Sequence, residues 1–170
     1  MTHPAGLLTR AADRAVPLYL WLVHGLEALL PLFDLSVRLY LANIFWKGGM
    51  VKLSSWVSTV MLFTMVYDVP ILSPEMAAYL STVVELGGSF LLAIGLAGRW
   101  AALSLFGLNI VAALSYGQLS EAALQEAFYW GVLFLYFVLH GPGSISVDVL
   151  LQRLIQRRQA MSSADDAVPQ

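Results

Sequence analysis

Lys47, Glu85 and Asn109 are polar side chains set far inside otherwise apolar stretches, which is where chemistry in a lipid-facing chain is to be sought. A charge at the centre of a bilayer costs several kcal/mol unless it is paired or hydrated. Counted from an apolar stretch that opens near Leu35, Lys47 comes about 12 residues in, roughly 18 Å along a helix. Glu85 lies a similar distance from the end of the second stretch, near Ala97, and Asn109 about ten residues into the third. Three polar groups on three helices thus share one layer, and two of them have opposite charge. Such a layer suits ligand binding or proton handling, and it suits equally an ion pair that fixes helix register. The expectation is that Lys47 and Glu85 face each other, with Asn109 nearby.

Other candidates are weaker. Lys52 lies closer to the outer surface and can reach it by snorkelling. Asp34 and Arg38, four residues apart, read as a surface anchor at the inner entrance. Arg99 sits in a short turn, where it serves most simply to set topology. His140 precedes Gly141-Pro142-Gly143, so capping a helix end is its plainest role. His24 and Glu27 have the H-x-x-E spacing of metal ligands on one helix face, but two ligands make no centre, and a polar edge on an interfacial helix explains them as well. The sequence has no cysteine, which removes disulfides, thiolate metal sites and cysteine nucleophiles. No further metal site is suggested.

The elements that must position these groups follow from composition. Of 170 residues, 59% are hydrophobic and 12% charged, and the mean hydropathy is +0.74. A soluble domain carries about 25% charged residues, so the excess apolar surface must face lipid. A formal net charge of −2 with no basic stripe argues against nucleic acid as a partner. Full spans are predicted from about Pro74 to Leu96, Trp100 to Leu119 and Ala122 to Leu139, each near the roughly 17–25 residues a bilayer requires. Leu35 to Val69 reads either as one long kinked helix or as a span followed by a partly embedded return segment, with Gly48-Gly49 and Ser54-Ser55 as interruptions. Pro17 and Pro31 bracket about 13 residues, short of a span, so Val16–Leu32 is expected to lie in the interface. A signal anchor or a fifth span are its rivals, and the lack of a small-residue cleavage site counts against a signal peptide. The predicted fold is an all-α, integral membrane four-helix bundle with an extra N-terminal interfacial helix. Residues 1–34 form the tail and that amphipathic helix, 35–150 the transmembrane domain, and 151–170 a cytoplasmic tail, disordered from Met161 to Gln170.

Several motifs resemble those of the DoxX family. Arg38-Leu39-Tyr40-Leu41-Ala42-Asn43-Ile44-Phe45, then Lys47-Gly48-Gly49 and Lys52, are similar to its opening signature. Glu85-Leu86-Gly87-Gly88, Gly95-Leu96 and Arg99 resemble its second helix and turn, and Gly141 to Asp148 its closing glycine–serine–aspartate motif, with Val147 where leucine is expected. The resemblance spans about residues 35–150 and adds Asp148 to Lys52, Arg99 and His140 as secondary site candidates. It implies a small four-helix protein of the bacterial inner membrane, in a family that includes the membrane subunit of a thiosulfate:quinone oxidoreductase and proteins of oxidative-stress complexes. The N-terminal helix and the Tyr67–Leu72 loop resemble the subset found beside copper-responsive modified-peptide gene clusters.

Three functions compete. One is a non-enzymatic accessory subunit that docks a partner redox enzyme or a peptide-maturation or export system. Another is a quinone-linked oxidoreductase subunit, with Glu85 and Lys47 near the quinone and the electron donor on a partner. The last is a small transporter or proton pathway through the same layer. The lipid bilayer is the one certain surrounding, and a protein partner or a second copy is expected.

Basic residues set the orientation. Arg10, Arg14, Arg38, Arg99, Arg153, Arg157 and Arg158, seven of the nine Lys+Arg, fall on one side of a four-span layout, which the positive-inside rule makes cytoplasmic. Asp68, Glu75, Glu121 and Glu126 fall on the other. Reporter fusions check this: one at Gln159 is expected to be active only as a cytoplasmic reporter and one at Gln118 only as an external one, and the reverse pattern overturns the layout.

Overall fold

The apolar runs are realised as helix. A computed structural model describes residues 5–67, 69, 71–117 and 119–165, with side chains over residues 16–161. Asp68, Gln118 and residues 166–170, on which some of the expectations above fall, lie outside the described residues. In chain order the helices are α1 (Ala5–Ser54), α2 (Trp56–Met65), α3 (Pro74–Ile94), α4 (Gly98–Ser115), α5 (Glu121–His140) and α6 (Val147–Asp165). Among the described residues, the single β-type pairing is an antiparallel bridge between Tyr67 and Tyr116. Four stretches are long and apolar enough to cross a membrane: Val16–Ser54, Pro74–Ile94, Gly98–Ser115 and Glu121–His140. The chain is therefore an all-α protein of the multi-pass membrane type.

Two compact units divide after Phe33. In the first, residues 1–33, Pro17 and Pro31 lie inside α1 and do not bracket a short helix as their spacing suggested. Each proline removes one backbone donor, a loss that membrane helices accommodate where local adjustment or neighbouring groups satisfy the freed carbonyl. Over residues 16–33, Val16, Leu20, Trp21, Leu26, Leu29, Leu30 and Phe33 are all exposed, so apolar side chains face outward around most of this stretch, the pattern of a helix that needs lipid or protein around it.

The second unit, residues 34–170, holds the core. Along its share of α1, Asp34, Arg38, Leu41, Ala42, Phe45 and Gly49 are buried at spacings of three or four, which is one helix face. α3 buries a stripe of mostly small residues, Ala77, Ala78, Ser81, Thr82, Glu85, Gly88, Ser89 and Leu92. Small side chains let neighbouring backbones approach closely. Leu41, Phe45, Leu92, Leu105, Phe134 and Phe137 meet at the centre, where the Phe45 and Phe134 rings stand edge to face, 5.0 Å between centroids. Helix starts follow their caps: Ser73 accepts from the Met76 N–H at 3.3 Å and Ser120 from the Ala123 N–H at 3.2 Å.

The stretch from Leu35 to Val69 is two helices. α1 stops at Ser54 and α2 begins at Trp56. The Thr59 hydroxyl donates to the Lys52 carbonyl at 2.9 Å, across seven residues. In a straight helix those residues would be about 10 Å apart, so the chain bends sharply at Ser55. Beyond the bend, Phe63 packs against Ala77 and Ala78, and Trp56 meets Tyr79 edge to face. α2 thus lies along the first half of α3. Of the tail expected to be disordered, residues 161–165 are corrected, since α6 continues as helix through Asp165.

The end of the bundle near Arg99 is closed by the segment after α5. Gly95 ends α3 with φ +69°, and a Cβ there would lie 2.6 Å from the Ser146 Cβ and 2.7 Å from Arg38 Nη1. Asp148 accepts from the Ala97 and Gly98 N–H groups at 2.8 and 2.9 Å, capping α4, while its own N–H donates to the Gly95 carbonyl at 3.0 Å. A capping carboxylate is worth about 0.5–2 kcal/mol. Asp148→Ala is accordingly expected to lower stability by about 1–2 kcal/mol, and Asp148→Asn, which keeps one acceptor oxygen, by less. Thermal unfolding of the purified protein in detergent checks this, and an unchanged melting temperature for Asp148→Ala would remove the cap from the account.

Candidate functional site

The buried stripe of α1 determines which lysine enters the bundle. Gly48 and Gly49 face α3: a Cβ on Gly48 would lie 3.5 Å from Glu85 Oε2, and one on Gly49 2.7 Å from the Leu86 side chain. A residue four positions after Gly48 shares its face, and that residue is Lys52. Its ammonium donates to Glu85 Oε1 in an ion pair whose side chains are 17% and 12% exposed. Lys47 is exposed on another face. The expected Lys47–Glu85 pair is thus replaced by Lys52–Glu85. The error lay in phase around the helix axis, and Lys52 does not snorkel outward.

Glu85 Oε2 is buried with no hydrogen-bond partner among the described residues. Its neighbourhood is a cavity of about 510 Å³, bordered by Lys52, Glu85, Asn109, Ser81, Ser104 and Tyr67 among apolar walls that include Phe45, Phe63 and Trp130. Asn109 belongs to this layer as expected, and its amide donates to the Ala127 carbonyl at 2.8 Å, tying α4 to α5. The Thr82 and Ser81 hydroxyls donate to the Ala78 carbonyl, and the Ser104 hydroxyl to that of Ala101. Ser89 likewise donates to the Glu85 carbonyl. The charged groups on the cavity are the Lys52–Glu85 pair. Chemically, the pair offers a cationic donor and a carboxylate acceptor inside an apolar chamber, where water competes little and each hydrogen bond counts for more.

The remaining candidates gather at the Arg99 end. Arg38 and Asp34 are buried, 2% and 4% exposed, and are not a surface anchor. Arg38 donates to the Pro142 carbonyl and, at 2.7 Å, to the Ile145 carbonyl. Asp34 accepts from the Tyr136 hydroxyl at 2.8 Å and lies 3.7 Å from His140 Nε2. His140 stacks on the Tyr136 ring, centroids 5.0 Å apart. Arg99 lies beside Gly141: a Cβ on that glycine would be 3.4 Å from Arg99 Nε. These contacts join α1, α5 and the closing loop, so Arg38, Asp34, His140 and Asp148 position the fold. In the first unit, the His24 ring lies 2.6 Å from the Leu20 carbonyl of its own helix, and Glu27 is exposed. No group of three His, Cys, Asp or Glu that could hold a metal occurs among the described residues.

Reading by residue type missed the Tyr136–Asp34 bond and the loop carbonyls that receive Arg38. The signal for Lys52 was present, since Arg38, Phe45, Gly49 and Lys52 follow one helical face. Glu85→Ala should leave the Lys52 ammonium buried and alone, at a cost of about 3–5 kcal/mol. Lys52→Met combined with Glu85→Gln should fold better than either single change, and Lys47→Met should be nearly neutral. Unfolding midpoints in detergent report all five variants. A larger loss from Lys47→Met than from Lys52→Met would reject the pairing.

Comparison with known proteins agrees with the motifs. A search of curated proteins and one of solved structures each return no match. The DoxX family model matches residues 33–118, just over half of the 170 residues. That stretch holds the Arg38–Phe45 segment, Lys52, Glu85, Asn109 and Arg99, whereas the Gly141–Asp148 loop lies beyond it. The chain therefore belongs to the DoxX family.

Proposed function

We propose that this chain is a membrane accessory subunit that holds a lipophilic, hydrogen-bonding molecule in its bundle and works beside a partner that carries the redox chemistry. The observation that supports the reading is the Lys52–Glu85 pair on an apolar cavity of about 510 Å³, with Glu85 Oε2 buried and unpartnered. Ligand pockets of about 300–1,000 Å³ with apolar walls and a few polar groups are the usual form of a small-molecule site. A quinone ring system fits this donor set. Lys52 would donate to a ring oxygen, Glu85 would accept from a ring hydroxyl, and Phe45, Phe63 and Trp130 would line the ring. Bound there, a quinone supplies two-electron redox capacity that the side chains lack. The chain's own groups bind, orient and hold a proton at the Glu85 carboxyl.

The described side chains offer no nucleophile–base pair, which favours an accessory role over independent catalysis. Placement in a bacterial inner membrane with both termini cytoplasmic belongs to the same proposal and rests on the distribution of arginines.

Protein purified in mild detergent, extracted with organic solvent and assayed for quinone, is expected to carry quinone in proportion to protein. Losing a hydrogen bond to a charged group costs about 1.5–3 kcal/mol, so Lys52→Met with Glu85→Gln should weaken retention about tenfold or more while the melting temperature stays near that of the parent. Equal quinone in parent and double variant would detach the ligand from this site. A tightly associated protein partner with no extractable quinone would leave docking as the function.

A further inference from the structure

We infer that α6 is an amphipathic anchor that lies on the anionic lipid surface at the Arg99 end of the bundle. Val147, Leu150, Leu151, Leu154 and Ile155 recur at intervals of three and four, which gathers them into an arc of about 140° at 100° per residue. Leu150, Leu151, Leu154 and Ile155 are each between 43% and 58% exposed. The opposite side carries Gln152, Gln156 and Arg153, and Asp148 and Arg157 border the apolar arc on its two edges. Arg158 falls at the middle of the arc, one turn beyond Leu154, where a long aliphatic stem can lie along apolar surface and lift its charge to water.

Three observations identify lipid as what covers the stripe. The first is position. Asp148 is fixed to the Ala97 and Gly98 N–H groups, so the first turn of α6 is held at the level where α4 begins. The second is the neighbouring surface. Gln152 and Asp148 share a hollow with Arg99 and Trp100, and Trp100 is 74% exposed, as in the aromatic belt of a membrane boundary. With the polar side of α6 turned to that hollow, the apolar stripe is left facing away from the bundle. The third is charge. Along α6, Arg153, Arg157 and Arg158 stand against Asp148, which is already engaged, and Asp165 at the far end. Basic residues bordering an apolar helix stripe are the pattern of binding to anionic headgroups.

The absence of cysteine allows single spin labels on the full-length protein. Leu154→Cys and Gln156→Cys, labelled and reconstituted in phosphatidylcholine vesicles with and without phosphatidylglycerol, are compared by relaxation with oxygen and with a water-soluble nickel chelate. The label at 154 is expected to favour oxygen, at a depth of roughly 5–10 Å, and the label at 156 to favour nickel. Phosphatidylglycerol should deepen the label at 154, and Arg153→Gln with Arg157→Gln should abolish that deepening. Both labels sampling water in either lipid would overturn the proposal. A label at 154 shielded from both reagents would overturn it in favour of a protein, a second copy included. Equal depth in the two lipid mixtures would reject the anionic-lipid assignment.

Discussion

A guanidinium withdrawn from water must find acceptors, and Arg38 finds them on a segment more than a hundred residues away in sequence. Free carbonyls there come from the chain reversal after α5, where Gly141 and Gly143 adopt positive φ. Much else at this end depends on that bond pair. It holds the loop against α1, which brings Ser146 against Gly95 and delivers Asp148 to the start of α4. Replacing the arginine by lysine would keep the charge but lose the two-pronged fit. Three separated motifs, around Arg38, Gly95 and Asp148, are thereby one joint. Their spacing reflects the need to close a bundle end as much as any reaction.

At mid-depth the constraint is the same, but the partners are two side chains. Lys52 and Glu85 cannot be dry and separate, and their pairing forces α1 and α3 into one rotational setting. Glycine at 49 allows it, since a Cβ there would lie 2.7 Å from the Leu86 side chain and 3.3 Å from the Glu85 Cβ. Replacing a buried pair with apolar side chains is often neutral for stability. A pair that borders a cavity and leaves an acceptor uncommitted is therefore more informative than one sealed by packing.

Much of this was legible in the sequence. Four apolar stretches and the stop at Gly141 follow from local chemistry, and helix rise alone set Glu85 and Asn109 at similar depths. What was not legible depended on direction around an axis or on distant chain. Lys47 and Lys52 both lie on an apolar helix, and only the stripe of Arg38, Phe45 and Gly49 separates the inward residue from the outward one. Arg38 looked like half of a local pair with Asp34 because i,i+4 spacing is visible and a contact with Ile145 is not. Pro17 and Pro31 look like boundaries by spacing, yet α1 runs through both, as membrane helices do where the freed carbonyl is satisfied in another way.

The bend at Ser55 has a consequence for charge. Because α1 ends there, Lys52 belongs to its last turn, where the peptide dipoles add up to about half a negative charge. The Lys52 carbonyl takes the Thr59 hydroxyl and that of Val51 takes the Ser54 hydroxyl, so the helix end is stabilised without a second cation. The ammonium consequently faces two counter-charges of different kinds, one carried by Glu85 and one built into the backbone. Only the carboxylate can be neutralised by a proton. The backbone share is permanent, so the cavity retains a residual hold on its cation whichever protonation state Glu85 adopts.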